Sequence, residues 1–203
     1  MSYEPVANGD LVAVVTFLEM RERPVDPVPP SPLTLRRIEN PDPEAYRTLF
    51  HRVGARWLWF SRLILDDSKL RAIIGHPDVE LFTAVDRNGN DAGLLELDFR
   101  ETGECELAFV GLLPELAGQG HGRWLLAEAL RLAWREGVSR VHVHTCTLDH
   151  PAALGAYRRA GFIPFKRAIE RFPDPRLLGI LPSDCAPQVP LLGTVASAPA
   201  PAS

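Results

Sequence analysis

Hydrophobic residues along this chain follow two rhythms, one of period two and one close to 3.6. Leu11 to Met20 is a short β-branched apolar run, which predicts a strand. Residues 24–32 hold five prolines and predict an extended linker. Leu33 to Ile38 alternates apolar and polar positions, a second strand. After the turn Asn40-Pro41-Asp42-Pro43, the positions Tyr46, Leu49 and Val53 recur at helical spacing over Glu44 to Val53. Residues 56–74 read as helix or loop, with Trp57, Trp59 and Phe60 clustered near the start. Strand patterns return at Val79–Val85, Gly93–Phe99 and Glu104–Leu113, with Asn88-Gly89-Asn90 as the hairpin turn between the first two.

A helix follows from about Gly120 to Glu136, stopped by Gly137, with Leu126, Leu130, Ala133 and Trp134 on one stripe. Val141 to Thr145 alternates as a strand, a short helix begins near Pro151 and ends at Gly161, and Phe162 to Phe172 is the last strand. Antiparallel strands in runs, with helices packed on them, define an α+β sandwich. The tail from Pro182 is rich in Pro, Ala and Ser, a composition that predicts disorder.

Composition narrows the partners. A net charge of −4 gives no bulk attraction for nucleic acid or an anionic membrane. The longest apolar run, Leu11 to Met20, includes Thr16 and Glu19 and is far too short to span a bilayer. Residues 1–10 carry Glu4 and Asp10 without a basic cluster, so no signal peptide is expected. Three cysteines without a CxxC pair point to reduced thiols and a cytoplasmic setting.

The densest chemical signal is Leu112 to Leu126. An apolar strand ends, Gly118, Gly120 and Gly122 follow at alternate positions, and an apolar helix starts at once. Without Cβ atoms, successive N–H groups can converge on an anion, and the helix N-terminus adds unsatisfied donors and its dipole. This is a phosphate cradle. A P-loop needs Gly-Lys-Ser/Thr, whereas Gly122 precedes Arg123-Trp124. A dinucleotide fingerprint needs G-x-G-x-x-G and a later acidic strand end, and neither is present.

The segment resembles motif A of the GNAT superfamily of N-acetyltransferases, Gln/Arg-x-x-Gly-x-Gly/Ala, matched by Ala117-Gly118-Gln119-Gly120-His121-Gly122. A second family pattern, Asn-x-x-Ala-x-x-x-Tyr-x-x-x-Gly-Phe, is met by Ala153, Tyr157, Gly161 and Phe162. The order of elements from Leu33 to Phe172 agrees with the family as well. The resemblance implies a mixed, mostly antiparallel sheet flanked by helices on both faces, a three-layer α/β/α arrangement. It implies a domain over 33–172, leaving 1–32 as an extension with an extra strand and 173–203 as a tail. That extra strand would lengthen a sheet edge or mediate a homodimer.

The resemblance also implies acetyl-CoA as co-substrate, with no metal. Its pyrophosphate would lie on the amides of Gly118, Gln119, Gly120, His121, Gly122 and Arg123, and its pantetheine arm beside Leu112 and Leu113. Ala117 stands where the family has Arg or Gln, so one side-chain contact is missing, and Arg123 can supply charge instead. His150 replaces the family Asn and would cap the helix or face solvent.

Acyl transfer to an amine needs a base, an oxyanion donor and a proton source for the departing thiolate. Tyr157 is the candidate acid, at the position of the family tyrosine that reaches the CoA sulfur. Glu106 is the candidate base, on a strand whose alternation puts Glu104, Glu106, Ala108 and Val110 on one face. Glu96 and Asp98 are runners-up, on a face that would either be solvated or attract a cationic acceptor. A backbone N–H near Leu112 or Leu113 would serve the oxyanion. His142, His144 and Cys146 share a strand face, but with His150 they match no zinc spacing and read as strand packing. Cys146 as an acyl-accepting nucleophile lacks a base and an orienting partner. The acceptor is an amine of a small molecule, peptide or protein, with Trp57, Trp59 and Phe60 either walling its site or packing in the core. An acyl-CoA-binding or sensing module without catalysis is the alternative.

Overall fold

A computed structural model describes residues 2–193. In chain order the elements are β1 (Asp10–Met20), β2 (Thr34–Ile38), α1 (Pro43–Gly54), a 3-10 turn (Ala55–Trp57), α2 (Asp67–Ile74), β3 (Val79–Val85), β4 (Asp91–Asp98) and β5 (Glu104–Leu112). A second 3-10 turn (Pro114–Leu116), α3 (His121–Ala133), β6 (Arg140–Cys146), α4 (Ala153–Arg159) and β7 (Ile163–Pro173) complete them. The sheet has seven strands in the order β2-β3-β4-β5-β6-β1-β7. All neighbours run antiparallel except β5 and β6, which are parallel.

Two cores lie on opposite faces of this sheet. Leu95, Leu97, Leu107 and Val143 meet Trp124, Leu125, Ala129 and Leu130 of α3 and Tyr157 of α4. On the other face Leu81 and Leu94 meet Tyr46, Leu49, Phe50 and Val53 of α1 and Leu70 and Ile74 of α2. Local signals place the helices: Asp42 accepts from Ala45 N–H at 3.0 Å ahead of Pro43, and Asp66 accepts from Lys69 N–H at 2.8 Å.

The N-terminal strand is not an edge extension. β1 lies inside the sheet, pairing with β6 through Val15–Met20 and with β7 through Asp10–Glu19. Its β-branched residues suit a strand with a partner on each side. The proline linker must therefore travel from β1 to β2 at the opposite edge. It crosses the α3 side, with Val28 packed on the core and Ser31 Oγ 3.5 Å from His121 Nδ1.

Residues 174–193 depart from the expected disordered tail. Arg176 is buried and binds both carboxylate oxygens of buried Asp174 at 3.0 and 2.7 Å. It also donates to the carbonyls of Cys185, Ala186 and Val189 at 3.4, 3.4 and 2.8 Å. Leu181 and Ala186 form a small core with Leu58. One guanidinium thus satisfies a turn that composition alone would leave open. Residues 194–203, also assigned to that tail, lie outside the described residues.

Candidate active site

β5 and β6 are paired only from Glu104 opposite Arg140 to Glu106 opposite His142. Beyond that point they part, and a cavity of about 1490 Å³ passes between them. Its walls come from both faces of the sheet: α3, α4 and the proline linker on one side, Trp57 to Ser61 on the other. Single-ligand pockets run to roughly 300–1,000 Å³, so this space accommodates two reactants meeting in the gap.

A bulge opens β5 at the same place. Glu96 pairs with Phe109 and Leu97 with Leu107, so Ala108 is the extra residue. Strict alternation therefore fails beyond Glu106. Phe109 joins the α1 core, while Val110 packs with Leu107 in the α3 core, not on the Glu106 face.

The glycine cradle forms the cavity's cationic end. Gly118 and Gly120 have φ of +78° and +84°, conformations that cost a side chain about 1–2 kcal/mol. Among the described residues, the N–H groups of 118–122 donate to no protein acceptor. A Cβ at Gly118, Gly120 or Gly122 would meet open space. Arg123 lines the same arm, with Ala117, Leu112 and Leu113 beside it. Converging free amides, a helix N-terminus and a nearby guanidinium fit a diphosphate. Gln119 turns back to the Glu115 carbonyl at 2.9 Å, and His150 Nδ1 accepts from Ala152 N–H at 3.0 Å, inside the turn before α4. The Leu113 N–H is engaged by the Ala92 carbonyl at 2.9 Å, so it is no free oxyanion donor.

Tyr157 projects from α4 into the cavity wall and stacks edge-on against Phe162 at 5.8 Å. Burial, with a smaller effect of Asp149, pushes its phenol well above the usual range, so it keeps its proton. Its hydroxyl has no protein partner among the described residues.

Glu106 is not a free base. Its Oε1 lies 3.2 Å from His144 Nδ1, and this contact holds the carboxyl below its ordinary range. The same contact raises His144 above 6.5 against the opposing effect of burial. His144 lines the cavity and is the residue overlooked by reading β6 as strand packing. Its partner is 38 residues away, a proximity only the short parallel pairing of β5 and β6 creates. Cys146 also lines the cavity, but burial holds its thiol up to about 11, protonated near neutral pH. Asp149 is held by protein donors: it accepts from Trp59 Nε1 at 3.1 Å, Thr145 Oγ1 at 2.7 Å and Cys146 N–H at 2.8 Å. No group of three or more His, Cys, Asp or Glu among the described residues is arranged to hold a metal ion.

Glu96 and Asp98 do not form a solvated face. Glu96 is fully buried, accepting from Tyr46 Oη at 2.5 Å and Arg62 Nη2 at 2.6 Å. Asp98 is held by Arg100 through both carboxylate oxygens. Trp57, Trp59 and Phe60 all line the cavity, and Trp59 also touches the α1 core.

The Acetyltransferase (GNAT) family model matches residues 35–162, and the chain belongs to that family. A GCN5-related N-acetyltransferase from Sphaerobacter thermophilus superposes with a TM-score of 0.58 at 20% identity, over 80% of this chain and 52% of that one. This chain thus spans about half the length of that relative. A spermidine N-acetyltransferase chimera from Vibrio cholerae gives 0.54 at 22% identity, over 67% of this chain and 83% of that one. An aminoglycoside acetyltransferase from an uncultured soil metagenomic sample gives 0.52 at 19%, over 64% and 88%. These likenesses establish a shared fold. No curated protein matches the chain. No helix among the described residues is long and apolar enough to cross a membrane.

Proposed function

We propose that this protein is an N-acetyltransferase that passes the acetyl group of acetyl-CoA to an amine by direct attack in a ternary complex. The observation that carries this reading is the single cavity joining the glycine cradle, Tyr157 and His144 across the gap between β5 and β6. Acetyl-CoA would supply the thioester-activated acetyl group. The amides of 118–122 and Arg123 would hold its pyrophosphate, and the edge of β5 beyond Glu106 would take the pantetheine arm. His144 Nδ1 faces Glu106, which leaves Nε2 to accept the proton of the amine. Tyr157 would offer its hydroxyl proton to the departing sulfur. Because its phenol stays well above a thiol's range, the hydroxyl stabilises the thiolate as a hydrogen-bond donor before solvent exchange completes the step. Three unpaired thiols suit a reducing, cytoplasmic compartment.

Release of CoA thiol from acetyl-CoA over an amine panel tests the reading directly. CoA binding without release on any amine would favour the non-catalytic module instead. Tyr157→Phe is expected to lower kcat by roughly 10–100-fold, a typical scale for a lost proton donor, with KM for the amine little changed. An unchanged kcat would remove Tyr157 from the reaction.

The pH profile tests the base. His144 must be neutral to accept a proton, and Glu106 raises its pKa above 6.5. kcat/KM should therefore climb with pH through a value above 6.5 and then level. Glu106→Gln removes the favourable partner and leaves the burial that opposes charge, so the acid limb should move to lower pH. His144→Gln should flatten that limb and lower kcat/KM about 100-fold. A wild-type profile in either variant would exclude the pair from proton transfer.

A further inference from the structure

The charges lining the cavity are divided between its two arms. Its arginines, Arg23, Arg123, Arg131 and Arg159, lie on the linker, α3 and α4, the side of the glycine cradle, with Asp26 of the linker as the carboxylate among them. The opposite arm, bounded by the segment Trp57–Ser61, β6 and β7, contains no arginine or lysine among its lining residues. Two carboxylates line it. Asp149 already accepts three hydrogen bonds, from Trp59, Thr145 and the Cys146 amide, and its charge also reaches His144 and Cys146. Glu170 of β7 lines the arm without a hydrogen bond or ion pair to any described residue, and its charge reaches His144 and Cys146.

Around Glu170 the walls are aromatic. Phe172 lies two residues along β7 on the same face and meets the Phe60 ring at 5.2 Å. Trp57 meets the His150 ring at 5.0 Å, and Trp59 meets Phe109 at 5.1 Å. Glu170 and Phe172 lie on β7, beyond the 35–162 segment matched by the family model. β1 carries β7 and thereby positions both residues.

We infer that this arm takes a monoamine with an aromatic or similarly bulky apolar body, its ammonium held by Glu170 and its body by Trp57, Phe60 and Phe172. This rests on the acyltransferase reading above. One free carboxylate among aromatic faces matches one cation, through charge attraction and cation–π contact. A polycation would bring further ammonium groups against apolar walls without partners, and an amino acid would bring a carboxylate toward Glu170.

The test uses the full chain with acetyl-CoA and three amines: 2-phenylethylamine, phenylalanine and spermidine. The expected result is a kcat/KM for 2-phenylethylamine at least tenfold above the other two. Glu170→Gln should raise KM for 2-phenylethylamine tenfold or more while calorimetric CoA binding is unchanged, and Glu170→Lys should raise it further. Glu170 is exposed on an outer strand, so neither change threatens the fold. Quenching of tryptophan fluorescence by 2-phenylethylamine reads binding without turnover and should weaken in parallel. Thiol release with spermidine in preference to 2-phenylethylamine, or a Glu170→Gln KM equal to wild type, overturns the inference and leaves the acyltransferase reading standing. Glu170-dependent binding of 2-phenylethylamine with no release on any amine supports the recognition site and defeats the acyltransferase reading.

Discussion

Replacing Gly120 with glutamate is expected to weaken CoA binding by roughly 100-fold or more, a loss of about 2.7 kcal/mol, while the fold survives. Gly120 is the N-cap of α3 at φ +84°, and its missing side chain leaves open space over the cradle. A carboxylate there would occupy the anion's place, and two like charges about 4 Å apart near a protein surface repel by roughly 4 kcal/mol. The positive φ adds about 1–2 kcal/mol of backbone strain, which must be separated from the binding effect. Gly137→Ala provides that control. Gly137 also sits at positive φ, +86°, with nothing within 4 Å, at the far end of α3 from the cradle. It should lose comparable stability and bind CoA like the wild type. Calorimetry with CoA on both variants decides the matter: Gly120→Glu binding within threefold of wild type would mean the anion lies elsewhere.

The glycine turn and the start of α3 were legible in the sequence because their signal is local. Three glycines and the helix start lie within a few residues, so backbone geometry follows without tertiary information. The same holds for the hairpin at Asn88-Gly89-Asn90. Features set by distant pairing were not legible. Nothing in Leu11 to Met20 states that it will lie between β6 and β7, because apolar β-branched residues suit any partnered strand. The Ala108 bulge is invisible to alternation, and it reverses the face of Val110 and Phe109. Glu106 was singled out on its strand, but its partner His144 arrives from another strand and is the base in the reading proposed above, with Glu106 as its orienting group. Glu170 carries no sequence signal, since its significance depends on the aromatic walls that β1, β7 and the segment after α1 bring together. The Arg176 turn misled for the opposite reason: a tail composition typical of disorder is overruled by one well-partnered arginine.

The largest loss of stability is expected from Glu96→Ala, about 3–5 kcal/mol, the usual scale for removing one partner of a buried ion pair. Glu96 is fully buried under α1, so its charge is tolerated only because Arg62 and Tyr46 both donate to it. Burial and the Glu96 charge hold the Tyr46 phenol well above its usual range, which fixes it as a donor. Without the carboxylate, Arg62 keeps a charge in a site where its Nε already lacks a partner. Arg62 also lies over the Phe109 ring at 5.0 Å, and Phe109 is part of the cavity wall. Damage at Glu96 should therefore spread to amine binding before it reaches the glycine cradle on the other face. Denaturant unfolding should show the full loss for Glu96→Ala but only about 1–2 kcal/mol for Tyr46→Phe, which deletes one hydrogen bond. Pairing Glu96→Leu with Arg62→Met should recover most of the difference, because an apolar pair of similar volume replaces two buried charges. Equal losses in the single Glu96→Ala and the double variant would show that the orphaned guanidinium does not set the penalty.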